Sequence, residues 1–286
     1  MKIENLGVRE RTPCGGFSRA DLLASVLTAG LLVLLRLSAS NQLGMDARAA
    51  ACLSNLRGLT QAWLMYSTDH GGRFPGNVDD GGIGYNWVAG SIDHLNPSPV
   101  NTNLSYLVDG RYAQLGPYSR DAALYRCPAD PSTSRFGSRT YPNVRSYAMN
   151  QAVGTKQDGR SPVDGPWLNG NHTHLANRQW YPYGKLADIV TPSPAGLFVL
   201  IEEDELSIND GAFGVIMTLP TRMIDWPATR HDVSGTLSFA DGSAAIHRWK
   251  DGRSIARTAI TSPTDQPGNE DILWLQARTS SAVANR

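Results

Sequence analysis

The chain has no net charge, few cysteines and none of the short motifs that mark common hydrolases and nucleotide-binding enzymes. Its 26 basic and 26 acidic residues cancel, whereas a nucleic-acid-binding domain usually carries a basic face. The G-x-S-x-G, H-E-x-x-H and Walker patterns are absent from the sequence. The sequence therefore predicts no nucleic-acid partner, and we expect the protein not to be an enzyme.

A long uninterrupted apolar run is also missing. The most apolar segment, residues 22–35, is shorter than the roughly 20 residues that cross a bilayer, and extending it to residues 17–37 includes Arg19 and Asp21. Basic residues precede the segment, which predicts a cytoplasmic N-terminus. We expect one weak membrane span over residues 17–37. A carboxylate at the start of such a span is costly, so Asp21 indicates a function.

The residues around Asp21 suggest what that function is. The stretch G-G-F-S-R-A-D-L-L, which begins at Gly15, resembles the class III signal of type IV prepilins and type II secretion pseudopilins. The resemblance implies that a prepilin peptidase cuts after Gly16, removes the leader 1–16 and methylates the new N-terminal amine of Phe17. Asp21 stands where that family normally has Glu. It would neutralise the Phe17 amine of a neighbouring subunit, because a buried charge left without its partner costs several kcal/mol.

A long N-terminal helix is predicted from about Phe17 to about Asp69. Its second half carries apolar residues at steps of three and four, which is typical of an amphipathic helix. These residues are Leu53, Leu56, Leu59, Trp63 and Tyr66. The glycines at 71 and 72 and the proline at 75 end the helix. The first half would lie in the membrane or in a filament core, and the second half would pack on a globular domain, as in the pilin fold.

Four further elements resemble one group of prepilin-like proteins. They are the C-x-x-N-L-R-x-L stretch from Cys52, the C-P-A-D element at Cys127, the S-Y-x-x-N element at Ser146, and His231 followed after nine residues by Asp241-Gly242. Together with the N-terminal signal they occur in the expected order. The resemblance therefore extends over most of the chain.

The region after the helix, residues 70–286, is predicted to be a globular domain on the periplasmic side of the membrane. Residues 70–190 are rich in glycine, proline and aromatic residues, so we expect loops with one short helix near 101–115. Strand signals come later in the chain. They lie at 196–204, at 211–219, in a hairpin at 235–249 and in a closing segment at 271–280. The predicted class is α+β, with the long N-terminal helix packed on an antiparallel sheet in a pilin-like arrangement.

The element that contains His231, Asp241 and Gly242 has two interpretations. His231 with nearby carboxylates would suit a metal or a catalytic pair, but a metal needs at least three ligands. Asp-Gly is a strong turn signal between two strands. We therefore interpret His231 as a hydrogen-bonding partner of a neighbouring loop and Asp241-Gly242 as a two-residue turn.

The cysteines allow at most one disulfide in the mature chain. Cys14 lies in the predicted leader, which leaves Cys52 and Cys127. An exported domain meets an oxidising environment, where two such thiols can form a bridge. We expect a Cys52–Cys127 disulfide, and two buried free thiols remain the alternative.

An oxygen-rich run is the remaining candidate site. Glu203, Asp204, Asn209 and Asp210 offer the oxygen ligands that calcium prefers. The resemblance to major pseudopilins implies a calcium site in this half of the chain. A solvated acidic loop is the alternative.

The whole sequence favours a structural subunit of a type II secretion pseudopilus or type IV pilus-like filament. Its implied partners are the prepilin peptidase, other pilin or pseudopilin subunits, and an assembly platform in the bacterial inner membrane. The alternative is a membrane-anchored periplasmic domain that binds or hydrolyses glycans and uses a prepilin-type leader.

Overall fold

The computed structural model describes residues 19–79, 82–93, 95–255 and 262–285. The chain divides into two compact units, Met1–Gly44 and Met45–Arg286. The predicted processing site at Gly16 and Phe17 lies outside the described residues, and so does the side chain of Asp21. The division differs from the sequence-based boundary after residue 69, because the second unit includes the last part of the first helix.

The first unit contains the beginning of helix α1, which runs over Arg19–Asp69. Several large apolar side chains of α1 are more than half exposed: Leu22, Leu23, Val26, Leu27 and Leu31. Within the part of the chain that the structure describes, no helix reaches both the length and the apolar character of a membrane span.

The second unit combines short helices with short strands. Besides the end of α1 it has helices α2 (Ser105–Val108), α3 (Gly116–Ser119), α4 (Gly252–Ile255) and α5 (Glu270–Thr279). Its 3-10 turns are Pro99–Thr102, Ala122–Tyr125, Pro166–Asn169, Leu186–Asp188 and Val283–Asn285. Its strands are β1 (Thr133–Phe136), β2 (Arg139–Pro142), β3 (Tyr147–Asn150), β4 (Phe198–Glu202), β5 (Ala212–Phe213), β6 (Arg222–Met223), β7 (Ser234–Phe239), β8 (Ala244–Arg248) and β9 (Thr264–Asp265).

A five-stranded sheet in the order β5-β3-β4-β7-β8 forms the centre of the second unit. The pairs β3–β4, β4–β7 and β7–β8 are antiparallel, and only the short β5 runs parallel to β3. Every residue of β3, β4 and β7 is buried. Strands buried on both faces read as continuous apolar runs, which explains why the sequence signal at 196–204 corresponds to β4. The predicted α+β class with a mainly antiparallel sheet is confirmed at this level.

The last part of α1 packs directly on the sheet. The side chains of Cys52, Leu56, Leu59 and Trp63 are fully buried at helical spacing, and each such apolar side chain stabilises the fold by about 1.5–3 kcal/mol. Thr60 Oγ1 donates a hydrogen bond to Ser238 Oγ at 2.7 Å. The helix therefore covers the polar face of β7.

Two of the predicted strands are different in the structure. Residues 271–280 form helix α5 rather than a strand, because Asn269 caps the helix and accepts hydrogen bonds from the backbone N–H groups of Asp271 and Ile272. Ile272 and Leu275 are buried one turn apart, which is a helical rather than a strand spacing. In the segment 211–219 only Ala212–Phe213 pairs as a strand.

The hairpin around Asp241-Gly242 has a three-residue loop instead of two. Phe239 N–H donates to Ser243 O and Gly242 N–H donates to Phe239 O, both at 2.9 Å. Within residues 239–243, only Gly242 has a positive φ, at 89°. This is the pattern of a tight turn followed by a glycine in the left-handed conformation. On the returning side, Ile246 is 45% exposed and Trp249 is buried, so only Trp249 adds a fully covered apolar side chain.

Candidate functional sites

Four side chains that can each ligate a metal meet in the interior of the second unit. They are Cys52, Cys127, Glu202 and His231, and their ligand atoms all lie within 4.8 Å of one another. All four residues are buried. We refer to this group as the buried tetrad.

Three short distances define the geometry of the buried tetrad. His231 Nε2 lies 3.3 Å from Cys127 Sγ and 3.3 Å from Glu202 Oε2. Cys52 Sγ lies 3.6 Å from the same Glu202 Oε2. The four ligand atoms therefore form one compact cluster.

Four separate parts of the fold position these side chains. Cys52 lies on the buried face of α1, and Glu202 is the last residue of β4, where it pairs with Tyr147 of β3. The backbone N–H of Cys127 donates to Ser146 Oγ at 3.0 Å, which fixes the turn after Tyr125. His231 precedes β7, and its N–H donates to Ser234 O at 3.1 Å.

The backbone after His231 has an unusual conformation. Asp232 and Val233 have φ values of 52° and 60°, and positive φ is a genuine outlier for a β-branched residue such as Val. Such strain persists only where surrounding contacts enforce it. Here the turn brings His231 back against Cys127 and Glu202.

Polar groups surround the buried tetrad. Arg230 Nη1 donates to Glu202 Oε1 at 3.1 Å, and its Nη2 lies 2.7 Å from Glu205 Oε2. Thr236 Oγ1 donates to Glu202 Oε2 at 3.0 Å and also lies 3.0 Å from Cys52 Sγ. The Tyr147 hydroxyl lies 2.9 Å from the same sulfur.

The charges in the buried tetrad depend on these contacts. Burial raises the pKa of Glu202, but the hydrogen bond from His231 and the charge of Arg230 outweigh it and lower that pKa to about 2. Burial lowers the pKa of His231, but its contacts with Cys127 and Glu202 raise it to about 9. The hydrogen bond with Cys52 and burial raise the pKa of Cys127. At neutral pH the tetrad without an ion therefore contains a charged His231–Glu202 pair beside a protonated Cys127 thiol.

The predicted disulfide partners are neighbours in space. Cys52 and Cys127 are both buried free thiols in this structure, with their sulfur atoms within 4.8 Å of each other. The bridge itself stays a prediction. The sequence interpretation gave His231 a loop partner and did not connect it with Cys127 or Glu202.

A second site is an acid-lined cavity of about 260 Å³. We use the name acid-lined cavity for the space bounded mainly by Asp79, Asp210, Asp225, Gln151 and Trp167. Burial and the nearby Asp79 raise the pKa of Asp210, and burial raises that of Asp225 to about 7. Both polar atoms of the Gln151 side chain are buried and find no hydrogen-bond partner among the described residues.

The side chains of the four predicted calcium ligands do not all line the same cavity. Asn209 and Asp210 line the acid-lined cavity. Glu203 accepts a hydrogen bond from Ser207 Oγ at 2.8 Å, and Asp204 accepts one from Leu206 N–H at 3.0 Å. Calcium binding stays a prediction.

The acid-lined cavity also contains residues that the sequence analysis missed. Asp79 and Asp225 complete its acidic lining, and both are far from the acidic run in the sequence. Asp79 also joins His172 and His174 in a group at the surface whose ligand atoms lie within 4.8 Å, with His172 Nε2 2.6 Å from Asp79 Oδ2. No motif or spacing in the sequence connects Asp79 with these histidines.

Comparison of the chain with protein-family models, with curated proteins and with solved structures found no match.

Proposed function

We propose that the protein is a structural subunit of a type II secretion pseudopilus or a type IV pilus-like filament. The observation that carries this proposal is the exposed apolar surface of α1 at the end of the G-G-F-S-R-A-D-L-L motif and directly after it. Leu23 is 64% exposed and Leu27 is 72% exposed. Each large apolar side chain gains about 1.5–3 kcal/mol when it leaves water, so this surface favours lipid before assembly and the helices of other subunits afterwards.

The proposed life cycle has three stages. The chain is first inserted in the bacterial inner membrane with residues 17–37 as a single pass, and its C-terminal domain faces the periplasm. The prepilin peptidase then cuts after Gly16 and methylates Phe17. In the filament, Asp21 of one subunit neutralises the amine of Phe17 of the next, because a buried ammonium needs a counter-charge.

The second unit supports this role through its packing. The part of α1 that begins near Ala49 is buried against the sheet, so this unit keeps its own core whether or not residues 17–44 are assembled. In a pilin-like arrangement the first part of one helix joins the filament, and its last part packs on the globular domain. The inner-membrane assembly platform would add such subunits one by one.

Processing provides the direct test of this proposal. N-terminal sequencing and intact mass of the membrane-extracted protein should show a methylated Phe17 as the first residue. Gly16→Val should block the cut, because the peptidase needs a small residue there, and Gly7→Val inside the leader should be processed normally. Cleavage at Phe17 in the Gly16→Val variant, or an unprocessed wild-type chain in cells that contain the peptidase, would reject the proposal.

The acid-lined cavity favours a second candidate function, a periplasmic domain that binds or hydrolyses glycans. Asp225, whose pKa is raised to about 7, is suited to a general acid, and Trp167 lines the same cavity. Full-length protein in detergent would be assayed for release of sugars from peptidoglycan and from soluble polysaccharides. Activity that is lost in Asp225→Asn and kept in Asp241→Asn would favour this function over the structural one.

A further inference from the structure

We propose that the buried tetrad of Cys52, Cys127, Glu202 and His231 is a closed structural site for one divalent transition-metal ion of the zinc type. Two sulfurs, one imidazole nitrogen and one carboxylate oxygen form a donor set that zinc accepts in proteins. This inference does not depend on the filament role, because it concerns only the interior of the second unit.

The distances between the ligand atoms fit a tetrahedral ion. Zinc bonds of about 2.3 Å to sulfur and about 2.0–2.2 Å to nitrogen and oxygen place the ligand atoms about 3.3–3.8 Å apart. The structure gives 3.3 Å for Cys127 Sγ to His231 Nε2, 3.3 Å for His231 Nε2 to Glu202 Oε2, and 3.6 Å for Cys52 Sγ to Glu202 Oε2. Ligation therefore needs only small movements of side chains that are already in position.

The chemistry of the surroundings also fits a bound ion. Two thiolates and one carboxylate carry three negative charges, so one negative charge remains when a divalent ion binds. Arg230 partly offsets that charge through Glu202 Oε1 at 3.1 Å, while its other terminal nitrogen pairs with Glu205, and Oε2 stays available for the metal. The Ala129 N–H donates to Cys127 Sγ at 3.3 Å, and the Thr236 hydroxyl lies 3.0 Å from Cys52 Sγ. Such outer hydrogen bonds orient and stabilise metal ligands.

Neither a disulfide nor an ion pair accounts for all four side chains. A Cys52–Cys127 bridge would use both sulfurs but would leave the paired His231 and Glu202 beside it without a shared role. The His231–Glu202 pair explains those two residues but gives no reason for two thiols beside them. A metal ion uses all four ligands at once.

The position of the tetrad indicates a structural rather than a catalytic ion. Four protein ligands and full burial leave no open coordination position for water or substrate, which is typical of structural zinc sites. The ligands come from α1, from the turn at Cys127, from the end of β4 and from the loop before β7. One ion would therefore join the helix, the loops and the sheet of the second unit.

Metal analysis of the purified chain tests the proposal. Full-length protein, extracted in detergent under reducing conditions, should contain about one zinc ion per chain by elemental mass spectrometry. Cys127→Ser and His231→Ala should lose it, while His231→Cys, which keeps a suitable donor, should retain it. Matched controls are His247→Ala, which changes a histidine outside the tetrad, and Asp210→Asn, which changes the acid-lined cavity; both should keep the ion.

A second measurement does not depend on the folding of the variants. Metal-free wild-type protein would be titrated with Co²⁺ alone, and one equivalent should produce the visible and sulfur-to-metal absorption of a tetrahedral thiolate site. No uptake of Co²⁺, or an unreduced mass that lacks two hydrogens because Cys52 and Cys127 are bridged, would overturn the proposal. Zinc that stays bound in both Cys127→Ser and His231→Ala would place the ion elsewhere and would overturn it as well.

Discussion

Glu202 and Glu203 are consecutive in the sequence, but their carboxylates make contacts in two different places. Glu202 accepts a hydrogen bond from Thr236 Oγ1 at 3.0 Å and lies in the buried tetrad. Glu203 accepts one from Ser207 Oγ at 2.8 Å, next to the acid-lined cavity. Successive side chains of an extended chain point to opposite sides, so one acidic run supplies carboxylates to two chemically distinct places.

The acid-lined cavity should make the stability of the second unit fall as the pH rises. Burial is the main cause that raises the pKa of Asp225 to about 7, the charge of Asp79 adds to it, and the Gly214 N–H opposes it. The usual value for Asp is about 3.9, so between these values the folded state holds a proton that the unfolded state has lost. The contribution of Asp225 to the unfolding free energy is then largest below about pH 4 and is lost as the pH rises through about 7. The raised pKa values of Glu203 and Asp210 act in the same direction.

Asp225→Asn tests this dependence, because an amide does not titrate. Urea unfolding of wild type and variant at about pH 5 and about pH 7.5 should show a smaller loss of unfolding free energy in the variant. Because the charge of Asp225 also raises the pKa values of Glu203 and Asp210, the difference in slope reports Asp225 together with this coupling. Equal slopes would mean that this carboxyl group does not titrate in that range.

Truncation of the helix face that covers the sheet should destabilise the second unit strongly. Trp63 is fully buried and stacks on Phe74 with ring centroids 4.4 Å apart. Trp63→Ala should cost about 3–5 kcal/mol of unfolding free energy, measured by urea or thermal unfolding. Met65 on the same helix is 48% exposed, so Met65→Ala should change stability by about 0.5 kcal/mol or less. Similar losses in both variants would contradict the described packing of α1.

The hairpin glycine should be sensitive to any side chain. A Cβ atom at Gly242 would meet only Leu64 Cδ1, at 3.6 Å, so space is available, but its φ of 89° is unfavourable for other residues. We expect Gly242→Val to lower the unfolding free energy by about 1–3 kcal/mol. Gly252, where a Cβ would meet nothing within 4 Å and φ is not positive, provides the control. Equal effects of Gly242→Val and Gly252→Val would exclude backbone strain as the cause.

Filament assembly should depend on Asp21. Asp21→Ala removes a polar cost in lipid but leaves the amine of Phe17 without a counter-charge in the filament. Filament yield, measured by shearing or cross-linking with the assembly system present, should drop strongly while membrane insertion persists. Asp158→Ala on the surface of the second unit should assemble normally. A wild-type yield in the Asp21 variant would show that this acid has no part in assembly.

Local signals predicted local structure well in this chain. The buried apolar run gave β4, and Asp-Gly between two strand signals gave the hairpin, although the loop has one residue more than expected. The segment 271–280 was misread because Ile272, Leu273 and Trp274 look like a strand. The helix depends on the cap at Asn269, which lies just outside the segment.

The sites were harder to predict because their members are distant in the sequence. Cys52 and Glu202 are 150 positions apart, and Asp79 and Asp225 join the acid-lined cavity from loops on either side of the acidic run. Strand alternation at Glu202 and Glu203 was the one signal in the sequence that could have separated the two sites. The contact between His231 and Cys127 depends on a turn in which Asp232 and Val233 have positive φ values. No local pattern in the sequence predicts that turn.

The contact between Thr60 and Ser238 has a consequence for the order of synthesis. These residues are 178 positions apart, so α1 leaves the ribosome long before the strand that it covers. Until β7 has been made, the sheet lacks the strand that Thr60 contacts, so part of the stripe of Leu56, Leu59 and Trp63 stays uncovered, and exposed apolar surface of this kind favours aggregation. A chain that stops before residue 234 should therefore need a holding chaperone, because the contacts that complete the core come from distant residues at the end of synthesis.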